Sequence, residues 1–300
     1  MATPPDPPAQ PAATSFLRLS ARGRRQLRWI AILAAVVGLL LGVNTLLLHV
    51  AMDPLNDFRV YYDAGTRLNA GRPLYDAAAS DSFGLYLNPP LLAILFRPLA
   101  LLPVGLAAAA WMTLVALALV AVVLRIGVRG PVLIALGCLA EPIAWSLTVG
   151  QVEPVLTLLL TVGTPASVAA AGYLKLVPWL AAGYWVVRRD VRSLARFAAW
   201  VVGIGLFQLV LEPAGTMAFL QLTWLHPAFE VRNISPFAIH PLLWVAFVAL
   251  LGGLLLRYGR TRAGWPLAVA LAVLAYPRLL VYQLMSLLAG FGGPSARRDG

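Results

Sequence analysis

The sequence has little with which to bind a metal or a nucleotide. It holds one cysteine, Cys138, and three histidines, His49, His226 and His240, and none of these stands at ligand spacing from another. A single cysteine also excludes a disulfide within the chain, and its place inside an apolar run makes it a packing residue. No Walker A or Rossmann glycine pattern and no G-x-S-x-G is present. Neither a cofactor nor a metal is therefore expected. Acid is scarce as well: Asp and Glu number 12 in 300 residues, and charged residues make up 12% of the chain. A soluble domain carries roughly a quarter. Lysine occurs once, at Lys175, against many arginines, a bias that suits a high-GC bacterial genome and carries no mechanism.

What is present is apolar. Hydrophobic residues are 60% of the chain, and the mean hydropathy is +0.81. Runs of about 20 apolar residues recur between Trp29 and Phe291, which predicts an all-α, polytopic membrane helical bundle. The net charge of +11 invites a nucleic-acid reading. No soluble module is present to bind nucleic acid, and the arginines cluster between spans, where they act as topology signals.

The division expected is a tail at 1–28, a transmembrane domain at 29–292 and a second tail at 293–300. Pro-rich residues 1–13 cannot build a core and read as disordered. Arg18 to Arg28 then precede a first span at about Trp29–Val50, too long for a signal peptide and expected to be retained. Further spans are expected at Pro89–Leu102, Gly105–Leu124, Pro131–Leu147, Val152–Val162, Pro165–Val187, Phe197–Leu211, Pro241–Leu256, Trp265–Ala275 and Leu279–Phe291. With about ten spans and both termini cytoplasmic, the arginine clusters at 18–28, 188–196, 257–262 and 297–298 fall inside. Both polar intervals, 56–88 and 212–240, and Arg278 fall outside, and Arg125 and Arg129 also fall outside, against the rule. The plasma membrane is the expected location.

The longest polar interval, Asn56–Asn88, is expected to be a long first extracytoplasmic loop. It holds Asp57, Asp63, Asp76 and Asp81, four of the twelve acids, with Tyr61, Tyr62, Tyr75 and Tyr86. Asp57 follows the first span closely. A carboxylate there can serve as a general base, and Phe58, Tyr61 and Tyr62 can stack on a sugar. It can equally cap a helix over 57–68. Lys175 lies within an apolar run, where a cation is either functional, for example on a lipid phosphate, or snorkelled or paired with Glu141 or Glu153. Gly150-Gln151-Val152-Glu153-Pro154 interrupts two runs and reads as a cavity-lining break or a plain turn. The second polar interval, Glu212–His240, holds His226, Glu230, Arg232, Asn233 and Ser235. His226 can assist a base or simply be solvated. Arg278 and Tyr282, four apart, share a helix face, as a phosphate contact or an interfacial anchor.

Several short patterns then fall in order. They are Asp57-Phe58 with Tyr61-Tyr62 and Gly65; Gly71-Arg72-Pro73-Leu74-Tyr75-Asp76; Asn88-Pro89-Pro90-Leu91; and Phe96-Arg97-Pro98-Leu99 before Trp111. Gly150-Gln151, Lys175-Leu-Val-Pro178, Asn233-Ile-Ser235 and Pro277-Arg278 with Tyr282 continue the series. Together they resemble glycosyltransferase family 87, from about residue 29 to 290. The resemblance implies a GT-C type fold with a catalytic first loop. It implies an inverting transfer from a polyprenyl-phosphate sugar, typically polyprenyl-phosphomannose, to a glycolipid or lipid-linked glycan. Asp57 would be the base, and Lys175, Arg278 and Arg72 candidates for the donor phosphate. Tyr61, Tyr62, Gln151, His226, Asn233 and Tyr282 complete the expected substrate-binding set. The competing reading is a multi-span transporter or lipid flippase without catalysis, favoured by Lys175, Glu141 and Glu153 within apolar sequence.

Overall fold

The computed structural model describes residues 20–52, 54–75, 86–221 and 232–294. Among these residues there is helix and no strand. The chain begins with α1 (Ala21–Met52), an apolar helix whose Leu40 and Leu47 are about two-thirds exposed. A helix that is apolar on its outer face has lipid as its natural surroundings. After it come α2 (Asn56–Asn69), α3 (Pro90–Phe96), a 3₁₀ turn at Leu99–Leu101, and α4 (Val104–Ile126). Next are α5 (Gly130–Cys138), α6 (Ala140–Thr148), α7 (Glu153–Val162) and α8 (Pro165–Leu174). A 3₁₀ segment at Val177–Ala182 leads into α9 (Gly183–Arg188), then α10 (Val191–Leu211) and α11 (Pro213–Gln221). The chain closes with α12 (Pro241–Tyr258), α13 (Gly264–Leu274) and a 3₁₀-helix at Val281–Phe291.

Of the expected spans, about ten with several of them short, the structure bears out only part. Among the described residues four helices are long and apolar enough to cross a membrane alone: Arg25–Met52 within α1, then α4, α10 and α12. The pair α5–α6, bent by 57°, makes a fifth if taken as one span. Pro89–Leu102 is not a span, because α3 has 7 residues and covers roughly 10 Å. Pro165–Val187 is not one span either. It breaks at Lys175, whose backbone is extended (φ −153°, ψ 129°), and folds back on itself, so that Trp179 Nε1 donates to Ala169 O at 3.0 Å. The interval between the first crossing and α4, from Met52 to Val104, is therefore longer than the expected Asn56–Asn88 loop, and it begins with helix α2.

These two errors cancel, and the structure removes the anomaly at Arg125 and Arg129. Arg28 lies beside Pro131 at the start of α5, and Arg125 Nε donates to Thr161 O at the end of α7 (3.4 Å). The turn after α7 packs on Trp265 at the start of α13, next to the loop where Arg188 Nη2 reaches Arg260 O (3.2 Å). Every described arginine cluster therefore sits at one end of the bundle. Losing a crossing at 89–102 and gaining a fold-back at Lys175 leaves the parity of Arg188–Arg196 unchanged while bringing Arg125 and Arg129 to the same end.

Packing between the helices uses small residues and aromatics. Gly38 and Gly42, four apart on α1, let it run parallel to α5–α6. A Cβ on Gly38 would overlap Gly137 O, and one on Gly42 would lie 2.8 Å from the Ala140 carbonyl carbon. In lipid, close approach of this kind supplies much of the dispersion energy that holds helices together. A second core sits under α2, where Phe58, Tyr61, Phe96 and Trp111 interlock with ring centroids 4.6–6.2 Å apart. Burying Phe58 alone, at 1% exposure, stabilises the docking of this otherwise polar helix by about 1.5–3 kcal/mol.

Candidate active site

The site lies at the end of the bundle opposite those arginine clusters, built on the turn between α6 and α7. The start of α2 docks on that turn through its backbone. Leu55 N–H donates to Thr148 O (2.8 Å), and the amides of Asp57 and Phe58 both donate to Val149 O (2.9 and 3.1 Å). The first amides of a helix ordinarily lack partners. Here the last carbonyls of α6 satisfy them, so no side chain has to. The cap of α2 is Leu55, in left-handed conformation (φ 60°), without a side-chain hydrogen bond. Asp57 is thus not a capping residue. Holding a leucine there costs about 1–3 kcal/mol, offset by the docking bonds. Gly150 makes the approach possible: its φ is +70°, and a Cβ would lie 2.8 Å from Phe58 Cβ.

Beyond Gly150, the Gln151 side chain ties three groups together. Tyr61 Oη donates to Gln151 Oε1 at 2.7 Å, and the Val152 N–H donates to the same oxygen at 3.0 Å. Two donors on Oε1 leave Nε2 as the end that meets Asp57, and it donates to Oδ2 at 2.7 Å. Trp111 Nε1 donates to Gly150 O at 2.8 Å and pins the turn from the other side. Burial pushes the Tyr61 phenol well above its ordinary value, and the Asp57 carboxylate pushes it further the same way. Tyr61 therefore stays a donor, and Gln151 keeps one orientation. Asp57 itself is half-buried.

A second polar group follows two residues on. Lys175 Nζ donates to Glu153 Oε2 at 2.8 Å, with side chains 8% and 2% exposed. Ser286 Oγ donates to Glu153 Oε1 at 2.6 Å, and Thr157 Oγ1 lies 2.9 Å from Ser286 Oγ. Both oxygens of Glu153 are thus engaged in the interior. Of the two carboxylates flanking Gln151, Asp57 is the one that solvent or a substrate can reach. Lys175 Nζ also stands 4.8 Å above the Tyr282 ring, whose edge packs on Trp145. The Tyr276 hydroxyl is buried without a hydrogen-bond partner.

The other expected residues fall as follows. Asn233 is a backbone clamp: Nδ2 donates to Pro277 O (2.8 Å), while Oδ1 accepts from Leu279 N and Ser235 N (2.9 Å each). It grips the chain on both sides of Arg278, which is half-buried at the same end. Tyr62 spends its hydroxyl on Leu102 O (2.8 Å), and Arg72 is exposed just past α2. Phe58 and Tyr61, each 1% exposed, present no face for a sugar to stack on. His240 caps α12 by accepting from Leu242 N (3.2 Å). His226 lies outside the described residues. Asp57, Gln151, Tyr61, Lys175, Tyr282, Asn233 and Arg278 therefore share one end, whereas Arg72 and Tyr62 lie at its margin.

Sequence reasoning did not single out Thr157, Ser286, Trp111 or Tyr276. All lie in or beside apolar runs, where one hydroxyl or ring carries no signal of its own. Among the described residues no group of three or more His, Cys, Asp or Glu side chains could hold a metal ion. The arrangement is suited to proton transfer at Asp57 beside a buried cation. A family model described as Glycosyltransferase family 87 matches residues 86–290, a range that starts after Asp57 and α2. No curated protein and no solved structure matches the chain.

Proposed function

Because the chain belongs to glycosyltransferase family 87, we propose that it transfers a sugar at the end of the bundle where Asp57 lies, with that carboxylate as general base. The chain is a membrane glycosyltransferase. In the proposed reaction the donor is a polyprenyl-phosphate sugar, mannose in particular, and the acceptor is a glycolipid or lipid-linked glycan.

In this reading Asp57 takes the proton from an acceptor hydroxyl. The oxygen attacks the anomeric carbon from the face opposite the phosphate, so the configuration inverts. The anomeric C–O bond to phosphate breaks, and its electron pair leaves with the polyprenyl phosphate. The proton on Asp57 then passes to solvent. The donor is a phosphodiester, and the polyprenyl phosphate monoester that departs needs its developing charge met by a cation. Lys175 has three donors and uses one on Glu153, and Arg278 stands on the segment gripped by Asn233. These two are the proposed phosphate contacts, with Arg72 a third at the margin. The positive-inside rule puts the arginine end in the cytoplasm, which makes the Asp57 end extracytoplasmic and both tails cytoplasmic.

The observation that carries the reading is the hydrogen bond from Gln151 to Asp57. It holds a reachable carboxylate in one orientation through Gln151, which stands two positions before Glu153 of the buried lysine–glutamate pair. The competing reading, a flippase, draws on that same buried pair. Incubating the purified protein in vesicles with radiolabelled polyprenyl-phosphomannose and extracted lipids separates them. A new labelled glycolipid supports transfer. Label that changes leaflet without a new product overturns it.

A further inference from the structure

At the arginine end, α9 and α12 finish side by side and leave a groove of about 500 Å³, lined by Val186, Val187, Arg189, Leu256, Arg257 and Arg260. Three guanidinium groups share it. Arg260 is held from behind, its Nε donating to Val187 O at 3.1 Å, so its terminal nitrogens are directed elsewhere. Arg189 stands on a left-handed residue (φ 56°) at the turn from α9 to α10 and is exposed. Beside them Arg188 spans the gap to Arg260 O and Thr261 O, with its buried Nε lacking a partner. The acid in this turn, Asp190, is committed to Ser193, taking its N–H at 3.0 Å and its hydroxyl at 2.7 Å. Among the described residues, none of Arg189, Arg257 and Arg260 pairs with a carboxylate.

The groove opens onto an apolar surface. Leu256 is 71% exposed and Val186 55%. The outer face of α12 continues upward through Leu250, Leu243 and Leu242, all exposed on a membrane-length helix. A ligand that fits must carry a negative phosphate at one end and hydrocarbon at the other, oriented along the helix axis. We propose that this groove binds the headgroup of an anionic phospholipid, with Arg189, Arg257 and Arg260 on the phosphate and the acyl chains along α12. Guanidinium forks suit phosphate oxygens, and basic groups near a membrane surface favour anionic over neutral lipid. The site is remote from Asp57, and its occupancy does not depend on the transfer reaction.

The test measures thermal unfolding and lipid retention of the full-length protein in detergent, titrated separately with phosphatidylglycerol, phosphatidylcholine, polyprenyl phosphate and inorganic phosphate. The proposal expects phosphatidylglycerol to raise the melting temperature and to bind roughly tenfold or more tighter than phosphatidylcholine. It expects Arg189→Gln/Arg257→Gln to abolish that preference while leaving the lipid-free melting temperature near wild type. Equal effects of the two phospholipids on the wild-type protein overturn it, whatever the variant does. So does a full response to inorganic phosphate, which would mean a soluble anion, or a preference that survives in the double variant. A larger response to polyprenyl phosphate than to phosphatidylglycerol overturns the choice of ligand.

Discussion

Replacing Gln151 with glutamate changes one atom of the site and leaves its shape. Oε1 still accepts from Tyr61 and from the Val152 amide, but the donor 2.7 Å from Asp57 Oδ2 becomes an oxygen. Two carboxyl groups then face each other with charge centres about 4 Å apart. At an effective dielectric constant of about 20 their repulsion is about 4 kcal/mol, which corresponds to about 3 pH units. The pair titrates as a unit and gives up its shared proton only at raised pH. If Asp57 is the base, the acid limb of the pH–rate profile for sugar transfer moves up by roughly 1–3 pH units. One unit below the new midpoint the rate falls about tenfold, and it recovers above it. The sign is fixed: raising the carboxyl's pKa removes the ionised base at low pH, not at high pH. The assay is transfer of label from polyprenyl-phosphomannose across pH, with melting temperature as the folding control. An acid limb that coincides with wild type refutes the reasoning.

Three other predictions follow from the same contacts. Lys175→Met leaves a buried carboxylate without its cation and destabilises the protein by about 3–5 kcal/mol, while Lys175→Met/Glu153→Gln recovers most of the loss; simple additivity in melting measurements contradicts the pairing. Gly150→Ala meets both a φ of +70° and Phe58 Cβ at 2.8 Å, so it lowers stability by about 1–3 kcal/mol and uncouples α2, read as faster amide exchange at Asp57 and Phe58. Asp190→Ala removes the cap of α10 and costs about 1 kcal/mol. Hydrogen bonds from the Ser193 amide and hydroxyl hold this carboxyl below the usual range. Its contribution is therefore complete above the ordinary carboxylate value and disappears as pH falls through the lowered one, which exchange at the Ser193 amide reports.

Much of the helical content could be read directly, because the apolar runs are long and interrupted by proline, glycine or arginine. The number of crossings could not. Hydropathy alone cannot separate the short α3 from a span, nor a fold-back at Lys175 from a continuous helix, since each segment is apolar apart from a single basic residue, Arg97 or Lys175. The one visible symptom was the wrong side assigned to Arg125 and Arg129, and Pro178 just after Lys175 was the local hint. At the site, Asp57 stood out as an acid following the first span, and the break at Gly150-Gln151 as polar residues between apolar runs. The bond that joins them is 94 positions apart in sequence and follows from helix packing rather than from local pattern. The Lys175–Glu153 pair was legible as one of two partners. Ser286 and Thr157, which complete it, were not, because a hydroxyl inside an apolar helix has no spacing to betray it. Of the aromatics beside Asp57, sequence suggested sugar stacking; burial assigns Phe58 and Tyr61 to the core that holds α2 in place.

If Asp57 removes the acceptor proton, Asp57→Asn cannot support transfer at the wild-type rate. The amide matches the carboxylate in size and can still meet Gln151 but cannot take a proton. Membranes containing equal amounts of wild-type and variant protein are supplied with radiolabelled polyprenyl-phosphomannose and extracted lipids, and labelled glycolipid is counted. The account predicts a fall of about 10²-fold or more, with insertion and melting temperature unchanged. Transfer by the variant at near wild-type rate would contradict it.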